Sequence, residues 1–578
     1  MTVRNLTIIG TIIGKIIGAF VMASFMGAAS PAVAGEPVRA TRYMIATANP
    51  HASQAGLAIL RRGGSAMDAA IAAQMVLGLV EPQSSGIGGG AFLLAYDADA
   101  GAVHAYDGRE TAPMAVTADL FLKADGEPMK FYDAVIGGRA VGVPGLVAML
   151  ELAHQRHGKL PWASLFAPAI ALAEAGFEVS PRLHYLISEA TGIDRYDTAR
   201  AYFFTAEGKP KPVGTRLINQ AYAATLKAIA AGGAKAFYKG DIATDMVAAI
   251  TGAVGNPGVM TVADLGAYEA KDRAAVCRPY RQWRVCGMGP PSSGGVTTLA
   301  ILGLLEHFDL AALAPGSAEA VHLVSEASRL AYADRARFLA DSDFVTVPVR
   351  GLLDRGYLAD RAALIDREQS MGTAEAGTPP HDDGRLRASE PGTEQFSTTH
   401  LCVIDSEGNA VSMTSSVESA FGSRLMVRGF MLNNQLTDFS FRPAVDGVPV
   451  ANRVAPGKRP RSSMAPTLVF DGNGRLLLAV GSPGGSRIIG YVTQTLIAML
   501  DWGLDVQQAL DLPHHVNRNG PTDLETGTPL ADLEAALVAL GHDVRVRSLT
   551  SGLHAIAITP AGLEGGADPR REGVALGD

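Results

Sequence analysis

Cysteine is scarce in this chain of 578 residues, and no basic run interrupts a sequence whose net charge is −8. Three cysteines, Cys277, Cys286 and Cys402, are too few to indicate a disulfide framework. Without a basic segment or basic domain, we expect no nucleic acid partner. Beyond the N-terminus, no uninterrupted apolar run is long enough to cross a bilayer. What remains is a chain with 48% hydrophobic residues, ample for a large core.

The first 34 residues have the features of a secretory signal. Arg4 and Lys15 supply positive charge, residues 16–29 are apolar or small, and residues 32–34 form an A-x-A-like cleavage site. An uncleaved N-terminal anchor is the alternative, because the apolar stretch begins early and is long. We therefore expect a signal at residues 1–34, a periplasmic or secreted protein, and no membrane association after signal cleavage.

Export would permit a disulfide between Cys277 and Cys286. Segments 276–280 and 283–288 can form a hairpin around the two-residue turn Arg281-Gln282, which places the two cysteines opposite each other. Pro279 weakens the strand prediction, so the reduced form stays an open alternative.

The pattern along the chain changes near residue 398. Upstream, residues 51–62 and 66–80 have helical patterns, the second opened by a capping box of Ser65 and Asp68. The polar segment 370–397, rich in Gly, Pro, Ser, Thr and charge, is predicted to be flexible. Downstream the pattern favours strands. Composition and periodicity alone indicate a mixture of α and β structure.

Thr398 begins an apolar run that continues to Asp405, and a turn at residues 406–409 leads into a second apolar run. This pattern predicts a hairpin of buried strands directly after the flexible segment. A threonine that becomes N-terminal by cleavage carries both a hydroxyl nucleophile and an amine base. The alternative is an ordinary strand residue, since threonine favours strands.

Several ordered motifs resemble those of the γ-glutamyltranspeptidase family, also called glutathione hydrolases, which are N-terminal-nucleophile hydrolases. The resemblance covers nearly all of the chain after residue 40. The motifs are Tyr106-Asp107-Gly108-Arg109-Glu110, Pro290-Pro291-Ser292-Ser293-Gly294-Gly295, Thr398-Thr399-His400, Asn433-Asn434-Gln435-Leu436-Thr437-Asp438, Arg459-Pro460-Arg461-Ser462-Ser463-Met464, Gly481-Ser482-Pro483-Gly484-Gly485-Ser486 and Gly566-Ala567-Asp568-Pro569-Arg570.

The resemblance implies an α+β fold, a four-layer αββα sandwich, and a precursor that cuts itself between Ser397 and Thr398. Residues 35–397 would form a large subunit, with 370–397 as its flexible end. Residues 398–578 would form the small catalytic subunit of a heterodimer.

The resemblance also assigns catalytic roles. Thr398 would be the nucleophile, first for self-cleavage and then for substrate. With Asp405 facing Ala410 across the turn, Thr398 would lie opposite residue 417 with a register error of one, so Ser416 can hydrogen-bond its hydroxyl. The alternative is a strand serine. Gly484 and Gly485, between a strand and a helix, would supply oxyanion-hole N–H groups rather than only a turn.

A γ-glutamyl group ends in an α-amine and an α-carboxylate, so its site needs cations and anions on opposite sides. By resemblance, Arg109, Ser462 and Ser463 would bind the carboxylate, and Gln435 and Asp438 the ammonium. Without the resemblance, these would be read as structural or solvated charges.

Two positions depart from the family pattern. Glu418 stands where the family often has Asn; alternation from Ser416 would place its carboxylate near the nucleophile and the substrate ammonium. The segment between Ser440 and Lys458 is a short lid without tyrosine. Both features resemble a lid-poor branch that includes cephalosporin acylases, and an open site favours hydrolysis over transfer.

We therefore expect an enzyme that cleaves the γ-glutamyl bond of glutathione and related compounds, with water or an amino acid or peptide as acceptor, and with no metal or cofactor. Two alternatives stay open: a cephalosporin or glutaryl amide acylase on the same scaffold, and a non-catalytic periplasmic amino-acid-binding protein.

Overall fold

The computed structural model describes residues 35–390, 392 and 397–578. The predicted signal at residues 1–34 lies outside the described residues. None of the helices in the described ranges combines the length and apolar character needed to cross a membrane.

Strands are numbered in chain order. They are β1 Val38–Ala40, β2 Met44–Thr47, β3 Gly90–Asp97, β4 Ala102–Gly108, β5 Phe177–Glu178, β6 Arg216–Leu217, β7 Lys271–Arg273, β8 Val276–Tyr280, β9 Trp283–Gly287, β10 Thr399–Ile404, β11 Ala410–Ser416, β12 Met426–Val427, β13 Phe430–Met431, β14 Ala444–Val445, β15 Val448–Pro449, β16 Thr467–Phe470, β17 Leu476–Gly481, β18 His515–Asn517, β19 Thr522–Glu525, β20 Val544–Arg547, β21 His554–Thr559, β22 Gly562–Ala567 and β23 Val574–Gly577.

Helices are numbered in the same way. They are α1 Pro50–Arg61, α2 Ala66–Val80, α3 Phe131–Val135, α4 Leu146–His157, α5 Ala167–Ala175, α6 Pro181–Glu189, α7 Asp197–Phe203, α8 Gln220–Gly232, α9 Ala234–Tyr238, α10 Asp241–Thr251, α11 Val262–Gly266, α12 Gly294–Leu305, α13 Ala318–Phe338, α14 Val349–Leu352, α15 Arg355–Ala362, α16 Ile488–Leu500, α17 Val506–Asp511 and α18 Glu534–Ala539.

Two seven-stranded antiparallel sheets form the centre of the molecule. One has the order β1-β22-β21-β17-β16-β9-β8, and the other the order β23-β2-β10-β11-β3-β4-β7. The sheets face each other, with β10 and β11 over β17 and β21. Helices α1, α2 and α4 cover the outer face of the second sheet, while α12 and α16 cover the first. The predicted four-layer αββα sandwich is therefore confirmed.

Strand β10 is apolar from Leu401 to Ile404 because both of its faces are covered. Leu401 and Val403 belong to the core between the second sheet and its helices, whereas Cys402 and Ile404 belong to the core between the two sheets. A strand covered on both faces cannot show the apolar-polar alternation of a half-exposed strand. Strand β10 is therefore continuously apolar from Leu401 to Ile404 instead of alternating.

The predicted cysteine hairpin is confirmed. Strands β8 and β9 pair with Tyr280 opposite Trp283 and Cys277 opposite Cys286, and the two cysteines form a disulfide. Arg281 opens the turn with φ of 53°. The capping box of α2 is also present, with Ser65 and Asp68 bonded reciprocally.

The described part of the polar segment 370–397 has specific contacts with the body of the protein. Glu326 accepts hydrogen bonds from Ser370 Oγ at 2.8 Å and from Met371 N at 2.7 Å. Further on, Ala388 bridges to Val450. Residues 391 and 393–396 lie outside the described residues, and flexibility of this segment stays a prediction.

Candidate active site

The proposed nucleophile immediately precedes β10, and its neighbour on β11 is fixed by strand register. Thr399 pairs with Ser415, which places Thr398 opposite Ser416. Thr398 Oγ1 lies 3.1 Å from Ser416 Oγ. The predicted register was off by one residue: Asp405 pairs with Asn409, not Ala410, because its carboxylate accepts hydrogen bonds from the turn amides of Glu407 and Asn409. The shift lies within the expected error.

Thr398 is buried and held by its backbone. Its Oγ1 contacts the carbonyl oxygen of Ser397, the peptide group that the predicted cleavage would attack. Arg571 Nη1 donates to the Thr398 carbonyl at 2.9 Å. Burial lowers the pKa of Arg571 to about 9 and raises that of nearby Glu81. Arg571 has no signal in the sequence beyond its place directly after the Gly566–Arg570 motif.

A small cavity brings together nearly all the predicted site residues. It is lined by Arg109, Ser397, Thr398, Ser416, Glu418, Gln435, Asp438, Ser462, Ser463, Met464, Gly485 and Ile488. Of the predicted set, only Gly484 is not among the lining residues. The residues come from six separate stretches of the chain, of which one precedes the predicted cleavage site and one spans it.

Gly484 and Gly485 connect the end of β17 to a short 3₁₀ turn that leads into α16. Their φ angles are 135° and 58°, a region in which side chains are disfavoured. A Cβ on Gly484 would lie 2.7 Å from the ring of Tyr491. Amides at the start of a helical segment have no partner within it, so such N–H groups are suited to bind an oxyanion.

Arg109 and Asp438 form a buried ion pair, with Nη2 and Oδ2 2.5 Å apart. Arg109 also donates to the carbonyl oxygens of Pro460 and Arg461. The sequence predicted these two charges on opposite sides of a bound substrate. In the structure they touch, so a substrate carboxylate at Arg109 and an ammonium at Asp438 would both bind to one ion pair in the cavity wall.

The polar side chains beside the ion pair differ in how many of their hydrogen-bonding atoms already have partners. Gln435 Nε2 donates to Asp438 at 2.8 Å, while its Oε1 is buried and accepts no hydrogen bond from the residues described. This oxygen is an acceptor suited to an ammonium. Ser463 Oγ accepts a hydrogen bond from Arg335 Nη2 at 2.7 Å. Arg335 was missed by sequence reasoning because nothing in the sequence distinguishes it from Arg329 and Arg337 on the same long helix.

Glu418 lies in the cavity wall, but not through the predicted alternation. Strand β11 ends at Ser416, and Glu418 has a φ of 78°. Its carboxylate contacts Asn434 Nδ2, and its amide donates to Ser416 Oγ at 2.8 Å. A left-handed conformation is strained for glutamate and easier for asparagine. The turn therefore connects Glu418 to the hydroxyl partner of Thr398.

Glu110 is a further buried acid at this site. Its Oε2 lies 3.7 Å from Arg109 Nη1, and neither carboxyl oxygen has a hydrogen-bond partner in the described part of the chain. Burial raises the pKa of Glu110 to about 8, opposed by the charge of Arg109. The sequence signal was its position next to Arg109 in the motif, but no role was predicted for it.

One buried cluster has the residue types of a metal site: His322, Glu326 and His542, whose ligand atoms lie within 4.8 Å of one another. His322 Nδ1 and His542 Nε2 are already hydrogen-bonded at 2.8 Å. Arg329 donates to Glu326 at 2.8 Å and to His542 at 3.3 Å. A guanidinium bonded to two of the three groups opposes a cation there, so this cluster serves as a hydrogen-bonded network.

Known proteins resemble this chain over nearly its whole length. The family model described as Gamma-glutamyltranspeptidase matches residues 52–578. A glutathione hydrolase proenzyme of Bacillus subtilis (strain 168) is 37% identical over 546 residues, covering 92% of this chain and 91% of that protein. The acylase ACY 1 proenzyme of Pseudomonas sp. (strain SE83) is 38% identical over 551 residues, covering 93% and 94%. A crystal structure of cephalosporin acylase from Bacillus halodurans has a TM-score of 0.83 at 30% identity, covering 96% of this chain and 99% of that one.

The Arg109–Asp438 pair leads to a stability prediction. Arg109→Ala removes the cation beside a buried carboxylate, so we expect the free energy of unfolding to fall by about 3–5 kcal/mol. The double variant Arg109→Ala/Asp438→Ala removes both charges and should be destabilised by less than the sum of the two single variants. Denaturant unfolding of the four proteins measures this coupling; strict additivity would contradict the ion pair.

Glu110 leads to a prediction about pH. Between the ordinary carboxyl pKa near 4.5 and about 8, folded protein retains a proton that the unfolded chain has released, so this residue lowers stability as pH rises. Glu110→Gln should therefore become more stable relative to wild type from pH 5 to pH 8 and level off above. Urea unfolding across this range checks it, with the exposed Glu36→Gln as the matched control; a pH-independent difference would contradict a protonated Glu110.

Proposed function

Since the chain belongs to the γ-glutamyltranspeptidase family, we propose that it is a self-processing γ-glutamyl hydrolase and transferase with Thr398 as its nucleophile. One observation carries this proposal: Thr398 Oγ1 shares a cavity with Ser416, the Gly485 turn and the Arg109–Asp438 pair. Nucleophile, oxyanion donors and groups for both ends of an amino acid thus meet at one place. A non-catalytic amino-acid-binding protein has no use for such a nucleophile, and membership of an enzyme family argues against it.

Maturation begins at the peptide bond between Ser397 and Thr398. Oγ1 attacks the carbonyl carbon of Ser397, the C–N bond breaks, and the hydroxyl proton passes to the departing nitrogen. The product is an ester between Ser397 and Thr398 with a free α-amine. Water then hydrolyses the ester, leaving a carboxylate on Ser397. The contact between Oγ1 and the Ser397 carbonyl oxygen supports this step, since it places the nucleophile at the group attacked.

The freed amine titrates at roughly 7.7–8.0 in model peptides, so it can act as a base near neutral pH. It takes the Oγ1 proton as Oγ1 attacks the γ-carbonyl carbon of the substrate. The amides of Gly484 and Gly485 stabilise the oxyanion, and the amine returns the proton to the leaving nitrogen as the C–N bond breaks. Water, or the amine of an acceptor, then cleaves the γ-glutamyl-threonine ester. Ser416 holds Oγ1 in place throughout.

The α-carboxylate and the α-ammonium of the γ-glutamyl group bind to different members of the ion pair. Arg109, Ser462 and Ser463 bind the α-carboxylate, while Asp438, Gln435 and Glu418 surround the α-ammonium. The unsatisfied Gln435 Oε1 supports an ammonium there, because a buried acceptor without a donor is unfavourable until one arrives. Because glutathione hydrolase proenzymes are among the relatives, we place glutathione and related γ-glutamyl compounds first among the substrates.

The segment that would cover this site is small. Residues 440–458 form the two-residue strands β14 and β15 and contain no tyrosine. Its Phe441 stacks on Phe121 with ring centroids 4.5 Å apart and so packs into a neighbouring apolar cluster. We infer that water reaches the acyl-enzyme easily and that hydrolysis exceeds transfer.

An amide acylase is the second candidate, and specific observations favour it. The acylase ACY 1 proenzyme and the cephalosporin acylase structure both match this chain over nearly its whole length. A glutaryl group, however, lacks the amine that Asp438, Gln435 and Glu418 would hold. A γ-glutamyl donor brings an ammonium to these acceptor oxygens and a glutaryl donor does not, which favours the γ-glutamyl donor.

The assembly follows from the cleavage. We propose that residues 35–397 form a large subunit and residues 398–578 a small subunit that stay together as a heterodimer. Strand β10 of the small subunit pairs with β2 of the large one, and β11 with β3, so the interface would include the hydrogen bonds of a central sheet. An exported location, periplasmic or secreted, is consistent with the disulfide.

Thr398→Ala tests the nucleophile. The variant should remain one chain on a denaturing gel and hydrolyse no γ-glutamyl anilide, because it has no hydroxyl to attack either carbonyl. The neighbouring Thr399→Ala is the matched control and should yield two fragments. N-terminal sequencing of the smaller wild-type fragment should begin at Thr398; any other start would remove Thr398 from this role.

Glu418 and the short lid are tested by product analysis. With a γ-glutamyl donor and excess glycylglycine, the wild type should release mostly free glutamate, because water competes at an uncovered ester. Glu418→Gln removes a charge beside the substrate ammonium and should raise KM for the γ-glutamyl donor by roughly threefold to tenfold. A predominance of γ-glutamyl-peptide product would contradict the lid argument. Better turnover of a glutaryl amide than of the γ-glutamyl donor by the wild type would favour the acylase.

A further inference from the structure

A second cavity, with a volume of about 510 Å³, lies against the one that contains Thr398. The two cavities adjoin at two places. Gly485 lines the nucleophile cavity and the next residue, Ser486, lines the second one. Arg335 lines the second cavity and donates through Nη2 to Ser463 Oγ in the first, at 2.7 Å. The two spaces are therefore separated by single residues.

Arginines dominate the charge of the second cavity. Its lining includes Arg335, Arg518, Arg545 and Arg547, against the two acids Glu375 and Asp523. The lining thus has a net charge of +4 − 2 = +2, in a chain whose net charge is −8. A concave surface of opposite sign to the whole molecule concentrates anions.

The two arginines on β20 extend from the same face of the strand. Arg545 and Arg547 are two residues apart on one strand, so their side chains share a face. They remain exposed, by 59% and 44%, and their nearest carboxylates lie 3.9 Å and 4.0 Å away, at Asp543 and Asp523. These are long separations for ion pairs, and the closer partner of Asp523 is Arg487, at 3.0 Å. The two guanidinium groups therefore retain donors for an incoming anion.

A third cation of the cavity, the partly buried Arg518, is held on the turn that leads to the nucleophile cavity. Arg518 Nη1 donates to Ser486 Oγ at 2.7 Å. Its loop is fixed on the other side, where Asn519 exchanges two hydrogen bonds with the backbone of Ala374, at 2.7 and 2.9 Å. Arg518 is thus anchored to the Ser486 side chain, and its loop is anchored to the backbone of Ala374.

We propose that this cavity binds the carboxylate of the amine portion of the substrate: the leaving peptide of a γ-glutamyl donor, or a peptide acceptor that enters in its place. The inference rests on the proposed function, which puts the γ-glutamyl portion in the cavity of Thr398. The scissile amide lies at Oγ1 and the Gly485 turn, so the group beyond it extends away from the Arg109–Asp438 pair. A leaving peptide that ends in a carboxylate finds Arg518, Arg545 and Arg547 past Ser486.

The test compares two substrates, with and without the terminal carboxylate, in two proteins, with and without the β20 arginines. Glutathione and its ester at the glycine carboxyl share the same γ-glutamyl group and scissile bond and differ only in the terminal charge. The wild type should show a kcat/KM about threefold to tenfold higher for glutathione, as expected for exposed charge pairs. In Arg545→Gln/Arg547→Gln this preference should fall to near one. Added salt should reduce the preference in the wild type and have little effect on it in the variant.

The matched control is Arg39→Gln/Arg475→Gln, which removes two charges from exposed arginines that do not line the cavity. It should keep the wild-type preference. A wild type that hydrolyses both compounds equally well, or a β20 variant that keeps the preference, would overturn the arginine site and leave the proposed function intact. Failure of the wild type on all γ-glutamyl compounds would instead overturn the proposed function itself.

Discussion

The pairing of β10 with β11 is the constraint on which the site depends. In an antiparallel pair, one register decides which side chain lies opposite which, and a slip of one residue moves every side chain to the other face. Here the register places Thr398 opposite Ser416 at the end of the two central strands. A carboxylate sets it: Asp405 binds the turn amides and ends the pairing at Asn409. Thr398, the proposed nucleophile, is thus positioned by a turn seven residues away along its strand.

Burial of that strand on both faces explains how the chain could be cut beside the site without the sheet separating. After cleavage at Thr398, β10 still has β2 and β11 as neighbours, with helices on one side and the second sheet on the other. The stabilising area lies in the two cores, not in the peptide bond that would be cut. A new chain end at Thr398 would therefore gain an amine without losing its surroundings.

The sequence was informative where the determinants are local. The hairpin of Cys277 and Cys286, the Ser65–Asp68 capping box and the Gly484-Gly485 turn follow from residues within a few positions of each other. The cavity members could be named because their motifs resemble a family. Their mutual contacts could not be. Arg109 and Asp438 are 329 residues apart, and nothing in either motif shows that the two charges touch. Neither Arg335 nor Arg571 is distinguished in the sequence from the arginines near it, and only the fold shows that both are buried beside the site.

The direct contact of Arg109 with Asp438 also bears on how the site discriminates. A buried ion pair presents both signs within one small area, so it complements a ligand that is itself a close pair of opposite charges. An α-amino acid end is such a ligand. A simple carboxylate would bind to Arg109 while its apolar neighbour faced the buried carboxyl group of Asp438, which is unfavourable. Glu418, held at a left-handed φ of 78° beside Ser416, adds a second carboxylate to that side. Under the proposed function, the left-handed conformation of Glu418 would place its carboxylate where it favours an ammonium-bearing acyl group.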